Sequence, residues 1–431
     1  METDSNLISK DTEHKAGVSE DLIAKFIRVR KITEELCKPL RIEDYVVQPV
    51  VDVSPPKWHL AHTTWFFEEL VLNKYKNDYR VFDKDYGYLF NSYYESVGER
   101  VLRPNRGFLT RPTVEEIFAF RKYVDDQMLE FFSGKKFDNA VHTLIELGLN
   151  HEQQHQELLI TDLKYVLGHN PLFPVYKENN KDDKPYANIG YTYLEVAEGI
   201  YDIGYRGTDF CYDNELGRHK VYLHAFKAMD RLVTNGEYLG FIEDGGYQDF
   251  RWWFSEAWDW VNQLETKAPM YWHNIEGNWH NYTLSGLRVV DSDEPVTHVS
   301  MFEAEAFAQW KGKRLLTEFE WEALANKYTK TVTDMGFADR QAFHPGVRSG
   351  GSNQLLGETW EWTNSAYLPY PFYKKTEGTV GEYNGKFMIN QMVLRGGSCA
   401  TSKDHIRLTY RNFFHPHLRW QFTGIRLAEN M

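Results

Sequence analysis

His151 and His155 stand four residues apart in the run HEQQHQ. On a helix that spacing puts both imidazoles on one face, a turn apart. Leu144, Gly148, Leu158 and Asp162 share roughly that face, which is therefore expected to look into a protein interior. The letters HEQQH also satisfy the HExxH pattern of zinc proteases, where the glutamate is the base. Such proteases recruit their third ligand downstream, whereas the best third donor here lies upstream. It is His62, in WHLAH, on an apolar face with Trp58, Trp65 and Phe66. His59 competes with it, three residues away and about 60° off that face. Histidines converging from two facing helices can hold a metal in a bundle core. Three imidazoles leave open positions, as a catalytic metal needs. Neutral nitrogen without thiolate suits iron, zinc, copper or nickel, and spacing alone leaves that choice open. The plain alternative is a set of hydrogen-bonded core histidines. For Gln153 and Gln154 the alternatives are an amide that orients a polar substrate and a solvated helix edge.

Four helices are expected to carry these residues. The first covers about 19–37, with apolar positions at Leu22, Ile23, Phe26, Ile27, Val29 and Ile32 and Ser19 as N-cap. The second starts near Pro56, since proline is tolerated in a first turn. The third follows Thr113, which with Glu116 forms a capping-box pattern. The fourth covers about 138–167 and stops at Gly168, with Pro171 just beyond. Between the second and third lies residues 77–110, rich in Tyr, Gly and Arg, and so long a connection is usually functional. Residues 176–186, YKENNKDDKPY, read as a linker. Beyond it come glycines, aromatics and short β-like runs, with one clear helix in MFEAEAFAQWKG. The expectation is an α+β protein: a disordered tail at 1–18, a four-helix bundle at 19–175, a linker at 176–188 and a mixed α/β domain at 189–431.

Composition narrows the classes of partner. The chain has 431 residues, 42% hydrophobic and 16% aromatic, enough for a large core and two domains. Its net charge of -13 argues against nucleic acid or an anionic membrane as partner. Cys37, Cys211 and Cys399 lie far apart with no CxxC pair, which suits a reducing cytoplasm. No stretch approaches 18 consecutive apolar residues and the first residues lack an apolar run, so neither a membrane span nor export is expected.

Longer motifs carry a resemblance. His62 with the HxxxH pair resembles the DinB-like bundle. HVSMFEAEAFAQWKGKRLLTEFEWEALA, GETWEWT, VLRGGSC, and YRNFF followed by GIRLA resemble the formylglycine-generating-enzyme (sulfatase-modifying factor) domain, a C-type-lectin-like fold. The two in this order, with FNSYYESVGERVLRPNRGFLTRP (90–112) and RWQFTGIRLA (419–428), resemble the EgtB-like sulfoxide synthases of ergothioneine biosynthesis.

The resemblance implies a non-haem Fe(II) enzyme that uses O2 to join a cysteine-type thiol to C2 of the hercynine imidazole. It assigns the iron to His62, His151 and His155. Tyr93 and Tyr94, in the long connection, become candidates for a catalytic phenol that gives a proton or an electron. Arg103 and Arg106 suit the carboxylate of the thiol donor, because guanidinium binds carboxylates bidentately. Trp420 suits the trimethylammonium of hercynine by cation–π contact, with Gln421 beside it, and Gln154 would hold the substrate imidazole. Trp360, Trp362, Arg395, Gly396 and Gly397 match the fold's structural signature and are read as core and turn. Cys399 has no second cysteine nearby, so the copper-bound cysteine pair of formylglycine-generating enzymes is not expected. Cysteine is the expected thiol, with γ-glutamylcysteine as the alternative. Rival readings are a selenosugar–hercynine synthase, an ovothiol-type histidine sulfoxide synthase and, from another class, a non-catalytic lectin-like binding protein.

Overall fold

The computed structural model describes residues 20–92, 94, 98–134, 138–178, 190–329, 336–347, 353–375 and 384–431. The expected tail at 1–18, Tyr93 and most of the expected linker lie outside the described residues.

Four long helices form the first half, as the periodicity predicts: α1 (Glu20–Cys37), α2 (Pro56–Phe67), α3 (Val114–Gly134) and α4 (Asn139–Gly168). Their starts follow local chemistry. Pro56 takes the first turn of α2. The Thr113 amide donates to Glu116 at 2.6 Å, and the Glu116 amide donates to Thr113 Oγ1 at 3.2 Å, which closes the capping box before α3. Asp138 caps α4 by accepting from the Val141 amide at 2.9 Å. Every residue of α2 is buried, so this helix is the centre of the bundle. It packs against α3 and α4, and α1 packs against α4. Beyond Phe67 the helix continues as a π-helical turn, Glu68–Leu72, a break that apolar periodicity does not announce.

The closeness of α2 to α4 depends on a glycine. A Cβ on Gly148 would lie 2.7 Å from Phe66 Cε1 and 2.8 Å from Phe67 Cε1. Gly148→Ala is expected to cost about 1–3 kcal/mol through overpacking, outweighing the better helix propensity of alanine. Urea denaturation measures it, and a stabilised variant would contradict this contact.

The second half is mixed. One sheet has the order Tyr193–Val196, Phe226–Met229, Leu427–Asn430, Arg314–Leu315, all antiparallel, so the last of these strands in sequence, Leu427–Asn430, lies between Phe226–Met229 and Arg314–Leu315. The other has the order Asn412–Phe414, Met392–Arg395, Trp360–Ala366, Thr423–Gly424, with the final pair parallel. The expected helix in MFEAEAFAQWKG is Met301–Trp310, capped by a Ser300–Glu303 box. Buried arginine–carboxylate pairs knit the layers, among them Arg411–Glu318 and Arg426–Glu361, each at 2.8 Å.

The two halves meet along α4. Gln153 donates to Asp404, Gln154 to Tyr410, and Glu157 accepts from Trp360, Ser398 and Thr401. Asp162 accepts from Trp420, and Lys164 Nζ lies 2.7 Å from His298 Nε2. The helix that carries HEQQHQ is thus also the seam between the domains.

Candidate metal centre and its cavities

His62 from α2 and His151 and His155 from α4 converge. Their candidate ligand atoms all lie within 4.8 Å of one another, and all three residues are buried. The His62 ring is stacked between Trp58, at 4.5 Å and 15°, and Trp65, at 5.5 Å and 16°. His62 Nδ1 lies 2.7 Å from the Phe90 carbonyl, which can only accept, so Nδ1 donates and Nε2 keeps its lone pair. That Nε2 is buried and has no hydrogen-bond partner. Burial pushes the His151 pKa down to about 3, and it holds His62 and His155 well below the usual imidazole range, with neighbouring imidazoles adding to the effect. Neutral imidazoles with an orphaned ring nitrogen in a dry pocket fit a metal ion. His59 sits differently: its Nδ1 lies 2.9 Å from His155 Nδ1 and its Nε2 lies 3.0 Å from Asp162 Oδ2. Both of its ring nitrogens are thereby engaged.

The glutamate of HEQQH is no general base here. Glu152 is fully buried and accepts from Arg30 at 2.8 Å, Thr33 at 2.6 Å and Arg121 at 2.5 Å. Although burial alone would raise its pKa, the two guanidinium groups bring it down to about 2. Its place is a buried ion-pair network that ties α1, α3 and α4 together behind the histidines.

A cavity of about 180 Å³ opens beside His155, walled by Trp58, Arg103, Arg106, Gln154 and Tyr410. A second, of about 370 Å³, shares Arg103, Gln154 and Tyr410 and extends to Trp360, Trp420 and Gln421. Arg103 and Arg106 come from a short 3-10 turn, Arg103–Phe108. Gly107 lets that turn approach Gln48, whose Cβ would sit 2.8 Å from an added Cβ. The Arg106 guanidinium lies 3.4 Å over the Trp58 ring and donates to Ser54 and Ser92, each at 2.9 Å. Guanidinium, indole, imidazole and second indole therefore form one stack, with the His62 ring held between the two indoles.

Of the residues expected at the site, Arg103, Arg106, Gln154, His155, Trp420 and Gln421 line these cavities, whereas His62, His151 and Tyr94 do not. Tyr94 is buried, its ring 5.5 Å from that of Trp65. The loop is pinned there because Asn91 donates to the Tyr94 carbonyl and accepts from its amide. Trp420 forms cavity wall while its Nε1 donates to Asp162 Oδ1 at 2.9 Å. Gln154 donates to Tyr410 Oη at 2.5 Å. Gln153, for which a solvated edge is one alternative, is buried and donates to Asp404 at 2.6 Å. Trp360, read as core, also lines the second cavity. Cys399 is buried and free, and burial raises its pKa well above the usual thiol range. Sequence reasoning missed Tyr410, Glu157 and the partners of His59. The YRNFF motif contains Tyr410, so the signal was present but was read only as architecture.

Comparison with known proteins agrees with this architecture. Residues 25–159 match the DinB superfamily, and residues 190–346 and 341–431 match the Sulfatase-modifying factor enzyme 1-like domain. Fold and site together define a two-domain protein with a three-histidine centre at the seam. The chain is 33% identical to the hercynine oxygenase of Mycobacterium tuberculosis, over 65% of this chain and 70% of that one. It is 32% identical to the hercynine oxygenase of Mycolicibacterium thermoresistibile, over 65% and 67%. Ergothioneine biosynthesis protein 1 of Schizosaccharomyces pombe is 27% identical over 57% of this chain and 30% of its own length. This chain belongs to the hercynine oxygenase family. Among the described residues, no helix is long and apolar enough to cross a membrane.

Proposed function

We propose that this chain is a non-haem Fe(II)- and O2-dependent sulfoxide synthase that joins cysteine to C2 of hercynine. The observation that carries the reading is the buried, neutral histidine triad, with His155 opening onto a cavity that has two arginines on one wall and second-domain aromatics on another. Three scattered, unpaired cysteines fit a reducing cytoplasm.

The reaction balances without another reductant. The imidazole C2–H and the thiol S–H are lost, a C–S bond forms, and the sulfur gains one oxygen. The second oxygen atom leaves as water with the two hydrogens, so O2 takes all four electrons. His62, His151 and His155 would hold the iron, which supplies the one-electron chemistry that O2 requires. Arg103 and Arg106 bind the carboxylate of the thiol substrate and fix its sulfur toward the triad. Gln154, held by Tyr410, offers its carbonyl oxygen to the hercynine imidazole. Trp420 gives its ring face to the trimethylammonium. The Tyr94 phenol is the proton donor at the reacting oxygen. Oxygen uptake by Fe(II)-loaded protein is expected only when hercynine and cysteine are both present. Equal uptake with cysteine alone would reduce the protein to a thiol oxidase.

Cysteine is favoured over γ-glutamylcysteine by the wall around Trp420. The longer donor adds an ammonium and a carboxylate, and an ammonium is best met by a free carboxylate. Glu157 lies in that wall, but its oxygens already accept from Trp360 at 2.7 Å, Ser398 at 2.6 Å and Thr401 at 2.7 Å, and burial raises its pKa. Asp52 lines the same cavity, and Arg103 donates to its backbone carbonyl. At the Trp420 corner the chain has the neutral Gln421, whose amide donates to the Leu418 carbonyl at 3.3 Å. A neutral hydrogen bond is about half as strong as a charge-assisted one. With both thiols at equal concentration, mass spectrometry is expected to find mainly hercynyl-cysteine sulfoxide. A dominant γ-glutamyl product would refute this reading of Gln421.

A further inference from the structure

His155 is reached from the second domain through an unbroken run of polar contacts. Trp420 Nε1 donates to Asp162 Oδ1 at 2.9 Å, Asp162 Oδ2 lies 3.0 Å from His59 Nε2, and His59 Nδ1 lies 2.9 Å from His155 Nδ1. The Ser54 amide also donates to Asp162 Oδ2, at 2.8 Å. Every side chain in the run is buried, from 2% exposure at His59 and Asp162 to 8% at His155.

The direction of each proton follows from the donors that have no choice. An indole N–H and a peptide N–H can only donate, so both oxygens of Asp162 are acceptors. His59 Nε2 then points its proton at Oδ2. With its proton on Nε2, His59 has a lone pair on Nδ1, and His155 Nδ1 donates to it. What remains on His155 is the lone pair of Nε2. His62 reaches the same tautomer separately, by donating from Nδ1 to the Phe90 carbonyl. Two of the three candidate ligands thus present Nε2, each fixed by a hydrogen bond on its other nitrogen. Outer partners of this kind commonly change metal affinity by about 10- to 100-fold.

We propose that His59 and Asp162 are positioning residues that fix the tautomer and ring angle of His155, and that Trp420 of the second domain sets them. Docking of the two domains thereby tunes the metal centre. This rests on His155 being a ligand, as assigned above. It also explains His59, which the spacing offers as a rival ligand: its two nitrogens serve to orient its neighbour.

The test uses the full-length apo-protein titrated with Co(II) alone, read by affinity and by the ligand-field bands, with the melting temperature of each apo variant as control. His155→Ala should abolish tight binding. His59→Ala should keep one Co(II) site, weakened by about 10- to 100-fold, with shifted bands. Trp420→Phe, which keeps an aromatic ring but loses the N–H and part of the indole's volume, should weaken Co(II) by a smaller factor and shift the bands the same way. A purely structural tryptophan would lower the melting temperature and leave the bands in place. Because Trp420 acts through His59, the double variant should bind Co(II) as His59→Ala does, within about twofold. Multiplying losses in the double variant, unchanged binding in His59→Ala, or a loss there as complete as in His155→Ala would each overturn the proposal. If His59→Ala does not fold, Asp162→Asn takes its place in the same cycle. Retained binding in His155→Ala would instead refute the ligand assignment itself.

Discussion

Replacing His155 with alanine is expected to leave a folded chain that no longer retains iron and makes no sulfoxide. The side chain lies at the cavity wall, so its loss enlarges the cavity by a ring and leaves His59 Nδ1 without that partner. His151→Ala should lose metal likewise, with a packing cost, because that ring is buried against Phe66. His62→Ala should lose metal too, but with a stability cost, because it empties the gap between the Trp58 and Trp65 rings. Removing a ligand should exceed the roughly 100-fold that an outer partner costs, so these variants should separate clearly from His59→Ala. Iron content after anaerobic loading and desalting is the measurement. Full iron and activity in His155→Ala would end the triad assignment.

Tyr94→Phe is expected to keep hercynine binding and lower sulfoxide formation by about 10²–10⁴-fold, the usual worth of a positioned proton donor. The ring stays against Trp65, so packing is preserved and only the phenol is lost. With that donor gone, the same thiol and O2 should be diverted to the sulfinic acid, which takes up both oxygen atoms. The product ratio is therefore more telling than the rate. Tyr410→Phe is the informative comparison, since that phenol lines both cavities and takes the hydrogen bond from Gln154. A diverted product there but not in Tyr94→Phe would move the role to Tyr410. An unchanged ratio in both Tyr93→Phe and Tyr94→Phe would end the case for this loop.

The helices and the triad were readable in the sequence because both depend on near neighbours. Apolar periodicity, Pro56, the Thr113–Glu116 box and the Asp138 cap mark the helices, and a four-residue spacing marks His151 and His155. His62 was found because α2 is apolar enough to be a buried core helix. What stayed hidden depends on contacts between domains. Tyr410 meets Gln154 across 256 positions, and Trp420 meets Asp162 across 258. No local pattern encodes such pairs. For the same reason Gln153 gave no sign of being an interdomain tether; Glu152 stayed hidden because Arg30 and Arg121, its partners within the bundle, lie 122 and 31 positions away. The π-helical turn after Phe67 escaped because its residues, EELVL, are ones an α-helix accepts equally well.

The central claim is C–S bond formation with insertion of one oxygen atom from O2. Iron-loaded protein given hercynine, cysteine and ¹⁸O2 should yield one product whose mass is that of the joined substrates less two hydrogens plus one ¹⁸O. Recovery of unmodified hercynine beside doubly labelled cysteine sulfinic acid, or of a joined product with no ¹⁸O, would contradict it.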